Sequence, residues 1–190
     1  MKTDGSNMKK LIELIREFSL NKTDKHTAHS YIEHFYQDFF EPYRDGELNV
    51  LEIGTREGDS LRLWEHAFPK SKIYGVDNNK SKKFKDVLSE RIIVTFGDAY
   101  TEKVVESLPS FDIIIDDGPH TVESQIKCLE FYLSKLNDGG VLLIEDIQKY
   151  EYIAMLENKY KELGGEKEVE FYDLRSIKHR YDDIIVVFRK

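Results

Sequence analysis

The spacing of apolar residues divides the chain into two helices followed by an alternation of strands and helices. Residues 8–20 and 31–41 repeat apolar side chains every three or four positions, which predicts two amphipathic helices, the second rich in aromatic side chains. From residue 49 onward, short apolar runs indicate strands. These strands are predicted at 49–53, 72–77, 91–96, 111–116 and 140–145, with helices near 58–67, 80–88, 101–107, 121–135 and 150–163.

The alternation predicts one α/β domain. Strands that alternate with helices form a parallel sheet with helices on both faces. The last two apolar runs, 169–174 and 183–189, are too close in sequence for a helical crossover and predict an antiparallel hairpin at one sheet edge. We therefore expect a doubly wound sheet of seven strands, five of them parallel, in residues 46–190, with residues 1–45 as a helical cap of the same domain.

Composition narrows the functional class. The chain has 190 residues, 40% of them hydrophobic, which is enough for one full core. A net charge of -8 argues against binding nucleic acid through its phosphates. The lysines at positions 80, 82, 83 and 85 form either a solvated helix face or an anion patch. Cys128 is the only cysteine and is expected inside a helix, which excludes an intramolecular disulfide and a cysteine zinc site.

The sequence also argues against membrane insertion. No apolar run approaches the roughly 20 residues that cross a bilayer. The first residues lack the apolar core of a signal peptide. A cytoplasmic protein is expected.

Polar side chains follow the fourth and fifth predicted strands. Asp116 and Asp117 end one strand and precede His120, and Glu145 and Asp146 end the other. The carboxyl ends of parallel strands are where open α/β sheets place their sites. Carboxylates at two neighbouring strand ends provide oxygen ligands for a hard divalent cation, with a histidine nearby as a candidate base.

The first three strands end in residues suited to a nucleotide-like cofactor. Gly54 and Gly58 lie four positions apart, so the loop differs from the G-x-G-x-x-G loop that holds a pyrophosphate. Asp77 ends the second strand, where a carboxylate can accept the hydroxyls of a ribose. Each acid alone is equally well explained as a helix N-cap or a loop residue. The candidate cofactor-binding residues are Glu52, Gly54, Gly58, Ser60, Asp77, Asp98, Ala99 and Asp116.

Residues 48–190 resemble the class I S-adenosylmethionine-dependent methyltransferases. The E-x-G-x-x-x-G loop, the acid after the second strand, the Asp-Ala pair after the third and the terminal hairpin carry this resemblance. It implies a Rossmann-like fold and S-adenosylmethionine as cofactor. The expected contacts are Glu52 and Gly54 with the methionine end, Asp77 with the ribose, and Asp98 and the Ala99 backbone with the adenine.

A narrower resemblance is to the metal-dependent sugar O-methyltransferases of the macrocin and mycinamicin type. It rests on the segment from Ile115 to His120, on Glu145-Asp146, and on segments 23–31, 171–175 and 180–183. It implies a magnesium ion, a sugar-containing acceptor, Asp117, Glu145 and Asp146 as metal ligands, and His120 as base. The sequence departs from that group at Pro119, and at His179 where a glycine is expected.

Several alternatives stay open. The acceptor is a sugar or, alternatively, a catechol-like or carboxylate compound, and a non-catalytic S-adenosylmethionine-binding module is a second reading. A nicotinamide-dependent oxidoreductase is disfavoured by the glycine spacing. His120 is either the base or a turn residue, and residues 21–30 belong to a fixed cap or to a mobile lid. The sequence does not specify the sugar, the hydroxyl or the oligomeric state, a homo-oligomer included.

Overall fold

Seven strands form one mixed sheet in the computed structural model, which describes residues 8–79 and 88–190. The strands are β1 (Asn49–Ile53), β2 (Lys72–Asp77), β3 (Ile92–Phe96), β4 (Phe111–Asp116), β5 (Leu136–Ile144), β6 (Glu170–Asp173) and β7 (Ile184–Arg189). Their order in the sheet is β3-β2-β1-β4-β5-β7-β6. The first five are parallel and β7 is antiparallel to both of its neighbours. The predicted five parallel strands and terminal hairpin are confirmed.

The helices follow the predicted positions, with several differences at their ends. They are α1 (Leu11–Glu17), α2 (Asp24–Thr27), a π-helical turn (Ile32–Tyr36), α3 (Gln37–Phe40), a 3-10 turn (Glu41–Tyr43), α4 (Asp59–Ala67), α5 (Glu102–Glu106), α6 (Val122–Tyr132), a second 3-10 turn (Leu133–Lys135), α7 (Tyr150–Glu162) and α8 (Arg175–Lys178). Of the predicted helix 80–88, residues 80–87, with their four lysines, lie outside the described residues.

Two short helices occupy stretches where none was expected. α2 lies in the polar stretch 21–30, and α8 lies in the connection between the hairpin strands. α8 ends at Lys178 and is capped by His179, whose φ of 56° is in the left-handed region that favours glycine. Glycine adopts this conformation without strain, which gives a physical reason for the glycine that the resemblance led us to expect at position 179.

The fifth strand begins earlier than predicted. The sequence predicts a strand over residues 140–145, yet β5 spans Leu136–Ile144. The pairing with β4 shifts register between Phe111 and Ile113, which is where an irregular, glycine-containing segment can join the sheet. The predicted start of the strand was wrong because Gly139 and Gly140, residue types typical of turns, lie within an irregular strand.

The central strands are buried on both faces. Ile113, Ile114 and Ile115 of β4 and Leu142 and Leu143 of β5 are fully buried. Helices cover both sides of such strands, which explains their continuous apolar sequence. Because Asp116 pairs with Ile144 in register, the acids that follow both strands come out at the same edge of the sheet.

The N-terminal helices share the hydrophobic core of the sheet. Leu11 and Leu14 of α1, with Tyr36 and Phe40, belong to one buried cluster with Trp64. The Tyr36 and Phe40 rings contact the Trp64 ring at centroid distances of 5.2 and 5.4 Å. This packing anchors residues 11–43 on one sheet face, while the proposed division of the chain at residue 45 stays a prediction. Among the described helices, none has the length and apolarity needed to cross a membrane.

Candidate functional site

A cavity of about 740 Å³ opens at the carboxyl ends of the parallel strands. Its walls include Gly54, Asp77, Asp98, Ala99 and His120. An adjoining cavity of about 300 Å³ is lined by Gly58 and Ser60 and shares Gly54 with the first. The structure thus brings six of the eight candidate cofactor residues to two adjoining cavities, at the edge of the sheet where ligands of this architecture bind.

Gly54 allows the ends of β1 and β4 to approach closely. Its φ is +83°, and a Cβ atom built on it would lie 1.9 Å from the carbonyl oxygen of Asp117. A side chain at this position is therefore excluded both by the backbone conformation and by the neighbouring strand. The glycine loop is therefore in direct contact with Asp117, one of the predicted metal ligands.

The acids that follow β2 and β3 are held by backbone N–H groups of the surrounding loops. The Asp77 carboxylate accepts hydrogen bonds from the backbone N–H groups of Arg56 and Asn79, both at 2.8 Å. The Asp98 carboxylate accepts one from the N–H of Tyr100 at 3.0 Å. Both side chains are thereby fixed at the cavity wall before any ligand arrives.

The two remaining candidate cofactor residues lie beneath the cavity. Glu52 is fully buried and accepts hydrogen bonds from Ser60 Oγ at 2.6 Å and Trp64 Nε1 at 3.2 Å. Asp116 accepts a hydrogen bond from the Tyr100 hydroxyl at 2.6 Å. Burial raises the pKa of Asp116 to about 6, although the Tyr100 hydrogen bond acts in the opposite direction. These residues support the cavity floor, and their contact with a cofactor stays a prediction.

Asp117, His120 and Asp146 meet beside the cavity. His120 Nε2 lies 3.7 Å from Asp117 Oδ1 and 3.5 Å from Asp146 Oδ2. One ligand atom from each residue lies within 4.8 Å of the others, a spacing that a single ion can bridge. Oxygen donors of this kind suit Mg²⁺. Burial lowers the pKa of His120, which favours its neutral form.

Two of these three residues have an unusual backbone conformation. His120 and Asp146 have φ values of 59° and 56°, in the left-handed region that non-glycine residues rarely occupy. Such conformations cost roughly 1–3 kcal/mol and persist where the surrounding structure imposes them, often at functional sites. Here they direct the two side chains toward Asp117.

Glu145, the third predicted metal ligand, has both oxygens engaged. Its Oε2 accepts a hydrogen bond from Lys25 Nζ at 2.5 Å and its Oε1 accepts one from the Tyr36 hydroxyl. Burial raises the Glu145 pKa to about 8, against the lowering effect of Lys25. The structure therefore places Glu145 beside the cluster of Asp117, His120 and Asp146, turned toward the N-terminal helices.

Lys25 is the centre of this arrangement. Its ammonium group lies 2.6 Å from Asp117, 2.5 Å from Glu145 and 3.2 Å from Glu52, and its side chain is 1% exposed. Burial lowers the Lys25 pKa, but the three carboxylates together raise it well above its usual value. Burial also raises the pKa of Asp117 well above its normal range. With more acids than cations, the cluster favours either proton uptake or a further cation.

Sequence reasoning assigned no role to Lys25, Tyr31 or Tyr36. The Tyr31 hydroxyl donates to Asp146 Oδ1 at 2.5 Å, so each predicted metal acid has a partner from residues 25–36. Lys25 lies in a polar stretch without apolar periodicity, which predicts exposure. The available signal was the resemblance of segment 23–31 to the sugar O-methyltransferases, which located the segment but gave Lys25 no function.

The chain matches a known protein family and is similar in sequence to several named enzymes. A family model described as a methyltransferase domain matches residues 51–147. The chain is 29% identical over 134 residues to 8-demethyl-8-alpha-L-rhamnosyl tetracenomycin-C 2'-O-methyltransferase of Streptomyces olivaceus, covering 66% of this chain and 35% of that protein. It is 32% identical over 123 residues to demethylmacrocin O-methyltransferase of Streptomyces fradiae, covering 59% and 30%. The chain thus spans about a third of the length of these relatives.

A solved structure extends the fold similarity to the N-terminal helices. The structure of MycE methyltransferase from the mycinamycin biosynthetic pathway, in complex with Mg and SAH, aligns with a TM-score of 0.74 at 21% identity. The alignment covers 97% of this chain and 55% of the MycE chain. At this identity the similarity establishes the shared fold.

Replacing Gly54 by alanine tests the close contact between the strand ends. Gly54→Ala is expected to destabilise the protein by about 1–2 kcal/mol from the left-handed backbone and by roughly 1–3 kcal/mol more from the collision with Asp117. Gly139→Ala is the matched control, because Gly139 has a φ of +78° and no atom within 4 Å of the added Cβ. Urea unfolding measures both, and equal losses would show that the contact between the strand ends has no steric cost.

Proposed function

We propose that this chain, which belongs to the methyltransferase-domain family, transfers a methyl group from S-adenosylmethionine to a hydroxyl group of a sugar or glycosylated small molecule. The observation that carries this proposal is the meeting of Asp117, His120 and Asp146 beside the cavity that Gly54 of the glycine loop lines. The named activities of the sugar O-methyltransferase relatives support the acceptor class.

The cofactor is proposed to occupy the two adjoining cavities. Gly54 and Gly58 leave room for the methionine end, with Glu52 and Ser60 supporting the loop from below. Asp77 accepts the ribose hydroxyls, and Asp98 with the Ala99 backbone contacts the adenine. S-adenosylmethionine supplies an activated methyl group on its sulfonium. The protein's contribution is then mainly to position the acceptor in line with that methyl group.

The metal site is proposed to use Asp117, Glu145 and Asp146. Asp117 Oδ1 and Asp146 Oδ2 already face one another across His120. Glu145 contributes negative charge, and it reaches an ion directly only by exchanging a hydrogen bond to Lys25 or Tyr36. When bound, a magnesium ion lowers the pKa of a coordinated hydroxyl and fixes its direction.

His120 is proposed as the general base. Its ring is about one-third exposed toward the cavity, and Nε2 is the nitrogen that faces Asp117 and Asp146. A neutral imidazole at this place can accept the proton of an acceptor hydroxyl as the methyl group is transferred. The left-handed backbone at residue 120 holds the ring toward the acids.

The alternatives differ in the acceptor and in catalysis. A catechol-like or carboxylate acceptor would use the same cavity, and a panel of acceptors assayed with magnesium distinguishes these classes from sugars. A non-catalytic S-adenosylmethionine-binding module would not need a neutral histidine beside two acids. We further propose a cytoplasmic enzyme that binds no nucleic acid, in keeping with the charge of -8 and the single cysteine.

Cofactor binding is tested by calorimetry. The protein is expected to bind S-adenosylmethionine and its demethylated product, and NAD should not compete. Asp77→Asn should weaken binding about 10–100-fold, because a hydrogen bond to a charged acceptor contributes roughly 1.5–3 kcal/mol. Asp138→Asn, at a fully exposed aspartate, is the control. Tight binding of NAD without binding of the adenosyl compounds would refute the proposal.

Metal dependence is tested by chelation and substitution. Methyl transfer should disappear with a chelator and return with Mg²⁺. Asp117→Asn removes a charged oxygen ligand and should raise the Mg²⁺ concentration for half-maximal activity at least about tenfold. Asp138→Asn should leave it unchanged. An Asp117→Asn enzyme with unaltered metal dependence would show that Asp117 is not a ligand.

The base is tested by replacing His120. His120→Ala should lower turnover by roughly 10²–10⁴-fold with cofactor affinity nearly unchanged, because a positioned base acts on the chemical step. Residual activity should rise with pH as hydroxide replaces the missing base. His34→Ala, at an exposed histidine, serves as control. Near-normal turnover, or loss of cofactor binding, would make His120 a structural residue.

A further inference from the structure

Lys25 places a positive charge inside a group of acids. It lies on the four-residue helix α2, yet its ammonium group contacts Glu52 at the end of β1, Asp117 after β4 and Glu145 after β5. The ammonium group donates hydrogen bonds to Asp117 and Glu145, and Glu52 Oε1 lies 3.2 Å away as an ion-pair partner. Three strands that are distant in sequence are therefore joined at their carboxyl ends by one side chain.

Burial makes this contact decisive for the local structure. Lys25 and Glu145 are 1% exposed and Glu52 is fully buried, so water cannot screen the repulsion among the acids. Uncompensated charge in such surroundings is strongly destabilising. In the metal-free protein, Lys25 is the cation in direct contact with Asp117 and Glu145 among the described residues.

We propose that Lys25 is a positioning residue, an internal cation that holds Asp117 and Glu145 at their places in the metal-free protein and shares these acids with the divalent ion when it binds. Two neighbours on the same segment assist, since Tyr31 donates to Asp146 and Tyr36 donates to Glu145. The segment 25–36 is thus part of the site itself.

Only the statement that Lys25 shares Asp117 and Glu145 with a metal ion rests on the proposed function. The stabilisation of the acids by Lys25 follows from the contacts alone and holds for any reaction at this site. Measurements in the presence of a chelator therefore test the first statement, and the response to Mg²⁺ tests the second.

The experiment compares thermal unfolding of the full chain and of Lys25→Met with a chelator and with saturating Mg²⁺. Methionine keeps the length and apolar stem but removes the charge. The metal-free variant should melt on the order of 10 °C lower than the parent, because it leaves buried acids without their cation. Mg²⁺ should raise the melting temperature of the variant by several degrees more than that of the parent, since it supplies the missing positive charge.

A second variant separates charge from packing. In Lys25→Met/Glu145→Gln one of the unpaired acids is also neutral, so the metal-free double variant should melt several degrees above Lys25→Met. This variant also keeps the test valid if Lys25→Met alone does not fold. Lys161→Met, at an exposed lysine paired with Glu157, is the control and should melt within about 2 °C of the parent.

Three results would overturn the inference. One is a metal-free Lys25→Met protein that melts with the parent, and another is a double variant no more stable than Lys25→Met. The third is an equal Mg²⁺ response in parent and Lys25→Met, which would refute the sharing of acids with the metal. If the parent neither binds Mg²⁺ nor transfers methyl groups, the proposed function fails, while the chelator measurements still decide the role of Lys25.

Discussion

The burial of four carboxylates at the ends of β1, β4 and β5 is the constraint on which the site depends. Glu52, Asp117, Glu145 and Asp146 are each at most 10% exposed in their side chains. Buried acids need donors or cations. The sheet cannot supply enough of them at its own edge, so they come from Ser60 and Trp64 of α4 and from the N-terminal segment. The N-terminal helices are thereby tied to the chemistry as well as to the core.

This constraint links two kinds of packing on the same segment. Tyr36 contacts Trp64 with its ring and donates to Glu145 with its hydroxyl. Trp64 in turn donates to Glu52. The aromatic cluster and the buried acids therefore share residues, and a displacement of residues 25–36 would expose apolar rings and break ionic contacts together. That coupling argues for a fixed cap over this part of the site more than for a freely moving one.

The central part of the sheet was predictable because its strands are buried on both faces. Apolar runs located β1, β2 and β4 to the residue, and the hairpin followed from a short connection. The start of β5 was wrong because an irregular strand containing Gly139 has the same composition as a turn. In the site, Asp117, His120 and Asp146 were brought together as their strand ends predicted. The role of Lys25 could not be predicted, because a lysine in a polar stretch is expected to be exposed to solvent. Its partners Asp117 and Glu145 lie 92 and 120 positions away in sequence, and only the three-dimensional structure brings them together.

Two residues of the site have strained backbone conformations. His120 has a left-handed backbone four residues after the end of β4, and Asp146 has one two residues after the end of β5. An ordinary extended or helical backbone at either position would direct its side chain differently. The hydrogen bond from Tyr31 to Asp146 and the packing of Gly54 against Asp117 oppose such a relaxation. The stable core therefore maintains backbone conformations that His120 and Asp146 would not adopt by their own preference. These conformations leave Asp117 Oδ1, Asp146 Oδ2 and His120 Nε2 facing one another.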